Sequence, residues 1–204
     1  MQKTIFLFTR KSTRSREGFG QHYIDNHAPL GKRLTRGLLG YTVNLVEGRE
    51  WPDAVTEHWV AAATDIVTPT IAYASPRDFE EVLADDRSLF DGFELYVISG
   101  ERELVTAPIL DTPLGQLTPE GKAVFMFADA DHLPAPPAAR RVVDNFVSHK
   151  LVNGDGGSWQ AFPSDIAVFR MAWGISYGED CPDDCLSLKE YRQLSAPGSN
   201  WGSD

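Results

Sequence analysis

One helical stripe, set between two β-prone runs, constrains this chain most. Phe19, Tyr23, His27, Leu30 and Leu34 follow one another at steps of four, four, three and four, which places them on one face of a helix. Before it, residues 3 to 9 (Lys-Thr-Ile-Phe-Leu-Phe-Thr) form a nearly continuous β-prone run, as expected for a strand covered on both faces. After it, glycines at 37 and 40 introduce Tyr41-Thr-Val-Asn-Leu-Val46, a second strand by its β-branched content. The stripe is not a plain apolar seam, because it carries a phenol and an imidazole one turn apart. Two readings of that pair stand side by side: an acid/base pair in a dry pocket, or a core histidine bonded to backbone carbonyls. Ser15 is suited to cap the helix, and Ala28-Pro29 predicts a break after His27, since the residue before proline is pushed out of the helical region.

The remaining elements set the expected fold. A third strand falls between Ala54 and Ala74, where Glu57-His58-Trp59 competes with Ile66-Val67-Thr68-Pro69. Ser75-Pro76 opens a second helix in the preferred cap and N1 order, with Phe79, Val82 and Leu83 on its apolar face. Glu94 to Val105 supplies a fourth strand. The order βαββαβ predicts an α+β, ferredoxin-like domain over residues 1–107: an antiparallel sheet with helices on one face and the other face left to be covered. A proline-rich linker (108–121) leads to residues 122–204, read as a degenerate second α+β repeat or a sheet-covering extension. There Lys122 to Ala128 reads as a strand, Ala138 to His149 as a helix, Asp165 to Tyr177 as one or two strands, and Leu186 to Leu194 as a short helix.

Charge and composition exclude several classes. The chain of 204 residues is 42% hydrophobic with a formal net charge of -10, which speaks against nucleic acid as a partner. No apolar run approaches the ~20 residues a membrane span needs, so no membrane partner and a soluble, cytoplasmic protein are expected. Up to Arg36 there are eight basic residues against two acidic ones. Arg10, Lys11, Arg14 and Arg16 crowd the loop before the His27 helix, where a carboxylate or phenolate ligand would be attracted; a solvated basic loop is the plainer alternative. Cys181 and Cys185 are the only cysteines, their spacing is poor for zinc, and free thiols are expected in a reducing compartment. His22 and His27 are five apart, about 140° around an α-helix, which does not converge on one metal ion. Neither a metal nor a cofactor is expected.

Phe19-x-x-x-Tyr23-x-x-x-His27-Ala28-Pro29-Leu30, with Gly40-Tyr41 at the next strand and Asp85, Asp86 and Phe90 after the second helix, resembles the EthD-domain pattern of the dimeric α+β barrel superfamily over roughly residues 3 to 105. The resemblance implies a homodimer whose sheets pair into a barrel, and a small hydrophobic or aromatic, often polyketide-like molecule held near His27. It does not fix the reaction, because fold alone does not determine function.

The candidate catalytic residues are His27 as proton carrier, Tyr23 as its orienting or oxyanion-stabilising neighbour, and His58 as a second proton donor. Proton transfer of this kind typically contributes ~10² to 10⁴ in rate. Candidate substrate-binding residues are Phe19, Tyr41, Trp59, Tyr96, Arg10 and Arg14, whereas Asp85 and Asp91 read as capping a turn. Three functions remain open: a lyase (decarboxylase, dehydratase or cyclase) acting on an acidic or phenolic substrate without a cofactor, a cofactor-free oxygenase, and a non-catalytic binding partner of an oxidative pathway.

Overall fold

The computed structural model describes residues 1–153, 166–175 and 185–195. β1 (Gln2–Arg10) runs into a long helical segment made of α1 (Arg16–His22), a π-helical turn (Tyr23–His27) and α2 (Ala28–Leu34). β2 (Leu38–Glu47) and β3 (Ala54–Val60) follow, then the short helices α3 (Ala63–Ile66) and α4 (Pro69–Ala72), the longer α5 (Pro76–Leu89) and β4 (Phe90–Val105). The rest of the described chain contributes strands: β5 (Lys122–Phe127), β6 (Arg141–Asn153), β7 (Val168–Trp173) and β8 (Cys185–Leu194).

All eight strands close into one antiparallel barrel in the order β1-β3-β2-β8-β5-β7-β6-β4. This overturns the expectation of an α+β, ferredoxin-like fold of the dimeric α+β barrel type. The β2 edge pairs with β8 and the β4 edge pairs with β6, so the barrel closes within a single chain. The two expected helices of the second half are strands, for a physical reason. Along β8, Leu186, Leu188, Glu190 and Arg192 are buried while Ser187, Lys189 and Tyr191 between them are partly exposed. That period of two belongs to a strand. β6 likewise alternates, with Val143 and Val147 in the cluster inside the barrel and Val142 in one outside it. Cys185 is disulfide-bonded, which corrects the expectation of a free thiol there; Cys181, Asp165, Ser176 and Tyr177 lie outside the described residues. Among the described residues no helix is long and apolar enough to cross a membrane.

The barrel has an apolar interior (Ile5, Leu7, Val55, Val124, Phe169, Met171, Leu186, Leu188) with a chain of charges threaded through it. Lys122 Nζ lies 2.6 Å from both Glu57 and Glu190 and over the Trp173 ring. Glu57 also accepts Lys3 at 2.8 Å, and Glu190 accepts Arg192 Nε at 2.8 Å. Ions buried this deeply are tolerated only when fully paired. Burial works to raise the Glu57 carboxyl, yet Lys122 and Lys3 hold it far below the usual carboxylate range. Its ion pairing therefore stabilises the fold above the unfolded carboxylate pKa, and that contribution is lost as the solution is acidified. Removing the cation in Lys122→Met should lower stability by about 3–5 kcal/mol, because two buried carboxylates lose their partner. Urea unfolding at pH 7 measures it; a loss under about 1 kcal/mol contradicts this role for the ion pairs.

Candidate functional site

Strand register builds the site on the outer face of the barrel. Cross-strand partners point to the same side of a sheet. Thr4, His58 and Tyr41 stand opposite one another on β1, β3 and β2, and Phe6, Thr56 and Val43 form the next row. Their neighbours Lys3, Glu57 and Trp59 alternate to the inside. The helical segment covers the outer patch: Phe19, Tyr23 and Ala28 join Phe6, Phe8, Tyr41, Val43, Leu89, Phe90 and Leu95 in one buried cluster.

Ser15 caps α1, its hydroxyl accepting from the Gly18 amide at 3.0 Å. The break expected at Ala28-Pro29 does not occur. Instead the Ala28 amide reaches back to the Tyr23 carbonyl, a bond five residues long. A proline ring in a regular α-helix collides with the carbonyl four residues earlier, and widening the turn to the π form gives it room. The wider turn also changes which residues converge. Residues five apart are now successive, so His22 and His27 reach the same carboxylate: Asp85 accepts His22 Nε2 at 2.7 Å and His27 Nδ1 at 2.8 Å. The α-helical argument that these two rings diverge is thereby corrected. Among the described residues no cluster of His, Cys, Asp and Glu is arranged to hold a metal.

His27 is buried and edge-on to Tyr23 and Phe90, with ring centroids 4.9 and 5.1 Å away. Beneath it, His58 packs on Tyr41 (4.5 Å) and Phe6 (4.8 Å). Both nitrogens of His58 are buried without a hydrogen-bond partner, as are the hydroxyls of Thr4 and Thr56. The Tyr23 hydroxyl lies near those of Tyr41 and Thr56 yet makes no well-formed hydrogen bond. Buried polar groups are otherwise nearly always satisfied, so this patch of orphaned atoms marks the region.

Burial dominates its electrostatics. It pushes the His58 imidazole down to about 3, helped by His27, so the ring is neutral across the physiological range. Burial also raises both Tyr23 and Tyr41 well above the ordinary phenol range, keeping both as donors. Asp85 moves the other way: burial opposes ionisation, but hydrogen bonds from His27 and His22 outweigh it and lower the carboxyl.

The structure thus brings Phe19, Tyr23, His27, Tyr41 and His58 together. It does not bring Trp59 or Tyr96 there: Tyr96 belongs to the interior cluster, against Phe169, and Trp59 lies under Lys3. Arg10 is bonded to Asp53 at 3.0 Å and Arg14 to the Ser88 carbonyl at 2.8 Å, so both hold the loop rather than face the patch. Asp85, read from sequence as a turn cap, is a partner of His27; the signal available for it was its place in the EthD-like pattern. A surface cleft of about 730 Å³, walled by Phe19, Ile24, Leu45 and Tyr191 with Arg16 and Lys189 at its rim, adjoins the patch through Phe19.

No protein-family model matches the chain and no curated protein matches it, so these comparisons do not identify the EthD family.

Replacing His58 with Phe removes two orphaned nitrogens. His58→Phe should leave stability unchanged or raise it by about 1–2 kcal/mol, and should weaken acid destabilisation. The sign follows from the depressed pKa: a neutral buried imidazole stabilises above the unfolded value, ordinarily 6.5, and this is lost as pH falls towards 3. Thermal melts from pH 4 to 8 test both; a large loss of stability at pH 7 would show that His58 is a structural core residue.

Proposed function

We propose that this protein is a small-molecule enzyme that uses histidine acid/base chemistry, of the lyase type, on an aromatic, phenolic or polyketide-like substrate. The substrate would sit between the π turn and the outer face of β1, β3 and β2. The observation that carries the reading is one coincidence: an imidazole held by a carboxylate, His27 on Asp85, stands over a patch where five buried polar atoms lack partners. Proteins keep such unsatisfied groups mainly where function requires them.

Each group has a role that follows from its surroundings. Asp85 engages Nδ1 of His27, which leaves Nε2 for the substrate and supports an imidazolium when the ring takes a proton. Tyr23 and Tyr41 stay protonated and can donate to an oxyanion as it develops. His58, neutral across the physiological range, offers one N–H and one lone pair to a substrate hydroxyl or carbonyl. A conjugated substrate delocalises the charge left by proton removal, which suits dehydration, decarboxylation or ring closure. The basic loop no longer argues for a carboxylate substrate, because Arg10, Arg16 and Lys11 are paired with Asp53 and Asp91; a phenol is favoured.

His27→Ala should remain folded and lose about 10²-fold or more in turnover of a phenolic or polyketide-type substrate panel. Product mass, carbon dioxide release and oxygen uptake are recorded together. Undiminished turnover in the folded variant overturns the reading, and oxygen consumed in step with product replaces it with the oxygenase.

A further inference from the structure

His22 and His27 meet on one carboxylate, and each takes a different oxygen of it. His22 Nε2 lies 2.7 Å from Oδ1 of Asp85, and His27 Nδ1 lies 2.8 Å from Oδ2. Burial opposes ionisation of Asp85, but the hydrogen bonds from His27 and His22 outweigh it, so Asp85 is a carboxylate at neutral pH. An ionised carboxylate only accepts, so both of the nitrogens that face it carry hydrogen. Neutral His27 is therefore the Nδ1–H tautomer with Nε2 as its basic site, and His22 donates from Nε2. His22 is the more open ring, 25% exposed against 10% for His27. The other groups facing His27 are Asp86 on α5, 3.7 Å from Nδ1, Tyr23 and Phe90 edge-on to its ring, and His58 on β3.

We propose that His22 sets the proton affinity of His27 by drawing on the same Asp85 carboxylate. This rests on the acid/base reading and adds to it the regulation of that site's basicity. A carboxylate steadies an imidazolium through the negative charge that it presents to the ring. A second N–H on the other oxygen draws part of that charge to itself, so the His27 imidazolium is held less strongly than in a lone His–Asp pair. His27 then gives up its proton more readily from Nε2, while the Nδ1 hydrogen stays on Asp85 throughout. The ring begins and ends each turnover as the same tautomer. When His22 is itself protonated, its positive charge acts on His27 in the same direction. The π turn is what brings the second ring onto Asp85, and it is a rare helical form. His22 acts on His27 through Asp85, so it is a positioning residue.

The test follows the ring nitrogens of His27 by NMR through a pH titration without any substrate, in wild type, His22→Phe, His22→Ala, His22→Gln and Asp85→Asn. In wild type the hydrogen of neutral His27 should be on Nδ1, and Nε2 should be the nitrogen that titrates. His22→Phe and His22→Ala should raise the proton affinity of His27 by about threefold or more, and Asp85→Asn should lower it by about tenfold. His22→Gln, whose amide N–H can stand where Nε2–H stands, should stay near wild type. Neutral wild-type His27 with its hydrogen on Nε2 overturns the proposal, and that readout needs no variant to fold. A His27 midpoint unmoved or lowered in folded His22→Phe or His22→Ala also overturns it, because that is what a plain tether between α1 and α5 gives. No substrate enters these measurements, whereas the His27→Ala turnover comparison decides the acid/base reading.

Discussion

Lys122 lies between Glu57 and Glu190 at the centre of the barrel, and much else depends on that contact. It joins β5 to β3 on one side and to β8 on the other, so it is one of the points where the two halves of the chain hold each other. Desolvating three charges is expensive, and the arrangement survives because Lys3, Arg192 and the Trp173 indole N–H complete the remaining valences. With polar contacts concentrated inside, closure at β2–β8 and β4–β6 leaves the outer face of β1, β3 and β2 as a platform for the helical segment. Strand parity then does the sorting: His58 and Thr56 go out to the helices, Glu57 and Trp59 go in to the barrel.

The outer patch follows a different rule from the interior. Inside, the charges of Lys122, Glu57 and Glu190 are matched to partners; under the π turn, His58, Thr4, Thr56 and Tyr23 bury polar atoms with none. A packed core gains nothing from an imidazole and three hydroxyls in that state, since each unmade hydrogen bond costs roughly 1–3 kcal/mol. The π turn belongs to the same economy of strain. It is a rare conformation, set by Pro29, and it brings His22 and His27 onto one carboxylate that no regular helix would let them share. The region combines an imidazole held by a carboxylate with donors fixed as neutral groups by burial.

Legibility in the sequence tracked how cleanly each element shows its period. The Phe19–His27 stripe and the β1 run are unambiguous, and Ser75-Pro76 marks the start of α5 by local chemistry alone. β8 was hidden because half of its inward residues, Glu190 and Arg192, are charged; an interior that stores ions breaks the usual apolar alternation. Closure was hidden with it, since two strands taken as helices leave a sheet with open edges. Parity separated the site residues. His58 and Tyr41 share a face by register, which a sequence read without strand pairing does not reveal, and the same register turns Trp59 and Tyr96 inward. Asp85 depended on a π turn that only the proline hinted at.

If the orphaned polar atoms under the π turn are the partners of an aromatic ligand, 2-naphthol will seat there, and intermolecular NOEs between it and the isotope-labelled protein report the place. Cross-peaks are expected from the naphthol ring to His58, His27 and Tyr41, together with a shift of the His58 ring nitrogens on binding. Naphthol that binds elsewhere, or a folded protein whose His58 signals do not respond to saturating naphthol, would contradict it.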